Sequence, residues 1–388
     1  SPKSSGAGEM AENGRGRFDE ALLDRLREEH RLSDFFEKCG VQLRRAGREW
    51  IGLSPFNVER TPSFTVKDDA GFYHCFSSGM HGDIFDAVQH FKGLDFPGAV
   101  EFLSGGRQEV TPEERARIQA RRKEREEREK ADRQRTMSRI ERTFDNARPI
   151  IGTYGEDYLV RRGLDVDASW VFDLRFVDRL PYYGFADADV NELSELGAYP
   201  AMVAAIRDVD GVMIGMHRTY LDGDVPVKLT PPGDPKRNRA KKISGETSGG
   251  MIRLSEIGGR LATGEGIETT RAWFQVRGCP AGVSIASAVS LGNLAGAAAG
   301  SIPHPAHPKK RIPNGEPDMD RPGVILPPHV ETVLLIGDGD SDPPMTRQRL
   351  LVAARRFRGQ GRDVYFHMAP SGKDFGDVLK EMRGSNAG

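Results

Sequence analysis

Thr332-Val333-Leu334-Leu335-Ile336-Gly337-Asp338-Gly339-Asp340 is the stretch on which the fold turns. Its apolar run is short, rich in branched side chains and closed by a Gly-Asp turn, so it reads as a fully buried strand. A helical pattern follows over 346–357. An earlier stretch repeats the design. Leu261-Ala262-Thr263-Gly264-Glu265-Gly266 runs from a buried strand into a helical pattern over 269–276. Further strand patterns at 282–285 and 364–368 complete an alternation that predicts a largely parallel, doubly wound sheet for residues 256–388. Ligands of such sheets bind beyond the carboxyl ends of the strands. Glu265, Asp338 and Asp340 are therefore expected to meet there as catalytic residues. Hard oxygen ligands suit Mg²⁺ or Mn²⁺, and ions so held can activate a 3′-hydroxyl and stabilise a pyrophosphate leaving group. The competing reading is a plain Asp-Gly-Asp turn beside a surface glutamate.

Working outward, 388 residues allow two or three domains with proper cores. A net charge of −1 with 29% charged residues gives no bulk signal for or against a nucleic-acid partner. Cys39, Cys75 and Cys279 are widely separated and form no disulfide framework, which fits a reducing, cytoplasmic setting. No apolar run is long enough to span a bilayer, no signal peptide is present, and no membrane partner is expected. Residues 1–8 read as an expression remnant, with Met10 as the native start. No Walker A motif occurs, so no helicase or ATPase is expected within the chain.

Residues 18–108 read as a small β-rich domain. Phe18, Leu22, Leu23 and Leu26 repeat at helical spacing, and Ser33 is placed to cap a second short helix. Short strands follow at 50–53, 63–66 and 72–76. A helix with Ile84, Phe85, Val88 and Phe91 on one face comes next, and another over 96–103 is closed by Gly105-Gly106. Residues 109–149 are dominated by Glu, Arg, Lys and Gln with alternating signs. They read as a solvated linker helix rather than a basic arm. Residues 150–255 form a subdomain with a hairpin of 202–206 and 212–216. It carries a basic stretch: Arg218, Lys228, Lys236, Arg237, Arg239, Lys241, Lys242 and Arg253. The loop at 302–328 is expected as a surface excursion.

The glutamate motif followed by Asp-x-Asp in an alternating strand-helix unit resembles the Toprim domain of bacterial-type primases, topoisomerases and some nucleases. Ser371-Gly372-Lys373-Asp374-Phe375-Gly376-Asp377 is similar to a segment of that domain in primases. The resemblance implies that Asp374 joins Glu265, Asp338 and Asp340 around the metal. Asp377 stays open between that role and a helix cap. Motifs within residues 50–92 resemble the zinc-binding domain of bacterial replicative primases, a likeness that covers residues 30–105; the family pattern is C-P-F-H, T-P-S-F, Y-H-C-F-x-C-G, G-D. The corresponding stretches here are Ser54-Pro55-Phe56-Asn57, Thr61-Pro62-Ser63-Phe64, Tyr73-His74-Cys75-Phe76-Ser77-Ser78-Gly79 and Gly82-Asp83. The four ligand positions are then Ser54, Asn57, Cys75 and Ser78. Hydroxyls and an amide are poor zinc ligands, so no zinc is expected. Phe56, Phe64, Phe72 and Phe76 are expected to form a core in its place, with Tyr73 and Arg60 as template contacts.

The fold expected is thus α+β multidomain: a small zinc-ribbon-like domain, a charged linker helix and a Toprim-type catalytic unit. The resemblance implies a bacterial- or phage-type DNA primase. Such an enzyme makes short primers from nucleoside triphosphates on a single-stranded DNA template. Arg218, Lys241, Lys242, Arg253 and Lys373 would bind phosphates or template, and any replicative helicase would be a separate chain. The alternatives are a Toprim nuclease, or a non-catalytic nucleic-acid-binding protein of a mobile element or defence system.

Overall fold

The computed structural model describes residues 18–385 apart from 47–48, 60–61, 76–77, 79, 107–110, 189, 191 and 308–309. Met10, Arg60, Phe76, Ser77 and Gly79 lie outside the described residues. Two compact units divide at Ala131/Asp132, inside the long helix Pro112–Asp145.

The first unit opens with α1 (Glu20–Glu29) and α2 (Leu32–Lys38) and continues through β1 (Leu43–Ala46), β2 (Glu49–Gly52), β3 (Phe64–Lys67), β4 (Phe72–Cys75) and β5 (His81–Gly82). These strands pair antiparallel in chain order. Helices α3 (Ile84–Lys92) and α4 (Phe96–Ser104) follow. Asp83 starts α3 through a capping box with Asp86. Ser33 does not cap α2; its hydroxyl donates to Asp68 at 2.6 Å. The core gathers Phe36, Phe64, Tyr73 and Phe85, with Phe56 and Phe91 packed against it, and Phe36 meets Phe64 edge-on at 4.7 Å. Successive strand residues face opposite sides, so β4 turns Tyr73 inward and Phe72 outward. Tyr73 is fully buried and Phe72 is 39% exposed. This reverses the roles expected for them: Tyr73 is core, and Phe72 is not.

The second unit contains two sheets. The long helix, α5 (Pro112–Asp145), buries Ile140 and Phe144 against the antiparallel sheet of β6 (Arg148–Pro149), β7 (Leu174–Gly184), β8 (Ser194–Arg207), β9 (Met213–Tyr220) and β10 (Lys241–Gly245). A short helix, α6 (Tyr154–Arg161), packs on the opposite side. The second sheet has the order β11 (Ile252–Arg253), β13 (Val283–Ser287), β12 (Arg260–Gly264), β16 (Thr332–Gly337), β17 (Asp363–Met368). Its neighbours pair in parallel except at the β11 edge. Crossovers use α7 (Ile267–Val276), α8 (Leu291–Ala295) and α9 (Pro343–Gly359), and α10 (Phe375–Ser385) follows β17. The expected excursion at 302–328 is built into the fold. It carries the hairpin β14 (Ser301–Pro303) and β15 (Arg311–Pro313), and it buries Ile312, Val324 and Leu326.

Candidate active site

Strands β12 and β16 lie side by side and parallel, with Thr263 opposite Leu335. Glu265 and Asp338 therefore leave the sheet at the same edge. The loop after β17 folds back to them. Gly339 donates its N–H to the Lys373 carbonyl at 2.9 Å, and Gly372 donates to the Gly339 carbonyl at 2.8 Å. A Cβ on Gly339 would stand 2.3 Å from the Pro370 oxygen, so this close approach requires glycine. Asp374 is carried on the same loop. Backbone strain sits nearby: Val289, a β-branched residue, has φ +70°. It lies between Ser287, whose hydroxyl donates to the Glu265 carbonyl at 2.8 Å, and Ser290.

Glu265 and Asp338 line one cavity of about 270 Å³, together with Ser290, Asp342 and Arg349. Asp338 is half-buried. Its Oδ2 accepts from the Thr269 hydroxyl at 3.3 Å, and its Oδ1 is buried with no partner among the described residues. Burial, then the charges of Asp374, Asp340 and Glu265, outweigh the Thr269 hydrogen bond and push the Asp338 carboxyl up to about 7. An orphaned carboxylate pressed by three other acids is what a divalent cation relieves. The donor set, all carboxylate oxygen, fits Mg²⁺ or Mn²⁺. Asp340 and Asp374 do not line the cavity. Asp340 is exposed and accepts from the Ser341 hydroxyl at 3.2 Å. Asp374 accepts from the Asp377 N–H at 2.8 Å, capping α10, and faces Arg162 at 3.9 Å. Among the described residues no group of three or more His, Cys, Asp or Glu stands close enough to enclose an ion as the side chains are placed.

The basic residues separate onto two faces, because neighbours on a strand point apart. Lys241 and Lys242 are adjacent on β10, and the single phosphate surface expected of them is split. Lys241 turns toward α7 and pairs with Glu268 at 3.0 Å; Lys228 stands 3.6 Å from the same carboxylate, and the Tyr158 hydroxyl donates to it at 2.7 Å. Burial works to raise the Glu268 carboxyl, but the two lysines and the tyrosine overcome it and hold the group well below the usual carboxylate range. Buried His217 is pushed down to about 4 by desolvation and by Lys241. Glu268 escapes sequence reading: its position three residues beyond Glu265 is visible, but its burial is not.

The opposite face carries Arg218 and Lys242, paired across β9 and β10. They line a groove of about 680 Å³ with Arg139, Tyr183 and Ile243. The Lys242 ammonium lies 4.1 Å above the Tyr182 ring, and Arg218 donates to the Ser244 hydroxyl at 2.7 Å. Burial and Arg218 both lower the Lys242 pKa. Two other expected ligands are engaged elsewhere. Arg253 pairs with buried Asp173 at 2.9 Å, and Lys373 with Glu381 at 2.6 Å.

In the first unit, Cys75 donates its S–H to the Ser54 hydroxyl at 3.0 Å. Ser54 Oγ also accepts from the Phe56 and Asn57 N–H groups at 3.1 and 3.0 Å, and Ser78 Oγ accepts from the Met80 N–H at 3.2 Å. One thiol, two hydroxyls and an amide do not fit a tetrahedral zinc site. A carboxylate ties the loop instead: Glu59 accepts from the Ser54 and Ser63 N–H groups at 2.7 and 3.0 Å and from the Ser63 hydroxyl at 2.7 Å.

Residues 18–118 match the family described as the CHC2 zinc finger, and residues 134–254 match one described as a domain of unknown function. The DNA primase of Haemophilus influenzae is 26% identical over 223 residues, covering 53% of this chain and 37% of that protein. The DNA primase of Pseudomonas putida is 29% identical over 233 residues, covering 53% and 34%. The crystal structure of the Aquifex aeolicus primase, with its zinc-binding and RNA polymerase domains, is similar over 94% of this chain and 83% of that chain, at 16% identity and a TM-score of 0.36. The chain spans well under half the length of the curated relatives it matches. By sequence it is a relative of bacterial DNA primases.

Proposed function

We propose that this chain is a DNA primase, joining nucleoside triphosphates into short primers on single-stranded DNA. The observation that carries the reading is Asp338: a carboxyl with a buried, unpartnered oxygen, raised to about 7 by burial and three neighbouring acids, at the strand edge it shares with Glu265. Glu265 and Asp338 would hold Mg²⁺ or Mn²⁺, with Asp340 and Asp374 adding negative charge beside the cavity; the ion would supply activation of the 3′-hydroxyl and neutralisation of the pyrophosphate leaving group. Lys241 and Lys228, held by Glu268 beside α7, would contact the nucleotide phosphates. Arg218, Lys242 and Arg139, with Tyr183 in the same groove, hold the template by phosphate contact and base stacking. The first unit assists template engagement through its fold, without zinc.

The primase relatives favour this reading over a nuclease built on the same carboxylates. Incubation with labelled nucleotides, Mg²⁺ or Mn²⁺ and single-stranded templates tests it. Wild type should yield short labelled products, and Asp338→Ala should yield none. Template cleavage without synthesis would establish the nuclease instead. Product undiminished by Asp338→Ala would remove the carboxylates from the chemistry.

A further inference from the structure

The cavity of Glu265 and Asp338 has a single cation among its described lining residues: Arg349, from the second turn of α9. It is half-buried and forms no hydrogen bond or ion pair among the described residues. A guanidinium among carboxylates ordinarily pairs with one of them. Here the acids are disposed otherwise. Asp342 accepts from the Met345 N–H at 3.1 Å, from Lys310 at 2.6 Å and meets the His304 ring at 2.9 Å, which fixes it to the β14–β15 hairpin and to the start of α9. Asp338 Oδ2 takes the Thr269 hydroxyl. Arg349 instead extends against the turn that opens α8. A Cβ on Gly292 would stand 2.9 Å from its Nη1, so glycine leaves the space that the guanidinium fills.

We propose that Arg349 is a phosphate-binding residue of this site, holding the polyphosphate of the incoming nucleotide. A pocket lined only by acids repels a polyphosphate, whereas a planar guanidinium offers two parallel donors to phosphate oxygens. Carboxylates and an uncommitted guanidinium lining one cavity match the two halves of a metal–polyphosphate ligand. The assignment rests on the nucleotide-polymerising reading above, yet it makes a claim of its own about anion binding.

Titration calorimetry with inorganic pyrophosphate, in Mg²⁺ and separately in EDTA, tests it on the full chain. Arg349→Ala should weaken binding about 10- to 100-fold, the range for a hydrogen bond to a charged group, and the loss should persist in EDTA. Arg349→Lys should recover only part, because an ammonium lacks the fork. Gly292→Ala, which crowds the guanidinium without removing it, should raise the nucleotide KM several-fold, and it keeps the test available should Arg349→Ala fail to fold. Wild-type affinity in Arg349→Ala, or no pyrophosphate binding by wild type, overturns the assignment. If wild type synthesises primers and Arg349→Ala leaves the nucleotide KM unchanged, the assignment falls while the primase reading stands. If pyrophosphate binding depends on Arg349 but no primer forms, the assignment stands and the primase reading falls.

Discussion

The Thr269 hydroxyl donates to Asp338 Oδ2 at 3.3 Å, joining the first turn of α7 to the loop after β16. The contact exists because β12 and β16 are parallel neighbours, so each acidic motif emerges beside the other. It offsets only part of what burial and the surrounding acids do to Asp338.

That imbalance makes stability depend on pH. The Asp338 carboxyl sits at about 7 when folded, against 3.8 ordinarily. Between those values the folded protein keeps a proton that the unfolded chain releases, so stability falls as pH rises from about 4 to about 7. Asp338→Asn should match wild type near pH 4 and exceed it at pH 8 by on the order of 1–2 kcal/mol, once solvent screening is allowed for. Mg²⁺ should narrow the gap at pH 8. Denaturant melts across that pH range check this; equal stability at pH 8 would contradict it.

Glu268 behaves oppositely. Burial opposes its charge, but Lys241, Lys228 and Tyr158 hold its carboxyl below 4.5, so its contribution is present above that pH and lost as pH falls further. Glu268→Ala leaves Lys241 and Lys228 without their counter-ion; both lysines stay partly solvated, so it should cost about 1–3 kcal/mol at pH 7. The deficit should shrink in acid. A urea denaturation series would show it, and a deficit independent of pH would indicate packing alone.

Ser54, Asn57 and Ser78 stand where the resembled zinc domain has ligands, and Cys75 keeps its thiol bonded to Ser54. Wild type should carry substoichiometric zinc by elemental analysis. Combining Ser54→Cys, Asn57→His and Ser78→Cys with Cys75 restores a four-ligand set. That variant should take up zinc and melt higher with it. Stoichiometric zinc in wild type would refute the reading of this loop.

Arg218 and Lys242 face the groove on the side away from Lys241. Changing both to Ala should reduce the slope of log K against log salt for single-stranded DNA by about 1.4, at about 0.7 for each phosphate no longer neutralised. Fluorescence anisotropy at several salt concentrations measures it. An unchanged slope would remove the groove from template binding.

The sequence made the parallel sheet legible because buried strands write themselves as continuous apolar runs, as in Val333–Ile336. Other elements were hidden for physical reasons. Strand β7 carries charges, Pro181 and two register shifts, so no period-2 pattern marks it. Helix α6 has only 8 residues, too few for a convincing helical period. The pattern at 346–357 marked α9 but missed its start at Pro343, where Asp342 caps the helix and proline suits the first turn. At the site, strand ends fixed the positions of Glu265 and Asp338. What Lys241, Arg253 and Arg349 face depends on which strands become neighbours, and a list of basic residues does not contain that.

The central claim is that Glu265 and Asp338 share a divalent ion. Anomalous diffraction from crystals soaked in Mn²⁺ tests it most directly. A manganese peak bridging the Glu265 and Asp338 carboxylates, absent from crystals of Asp338→Asn, is the predicted result. A fully soaked crystal with no peak in that cavity, or one that survives the substitution unchanged, would contradict the account.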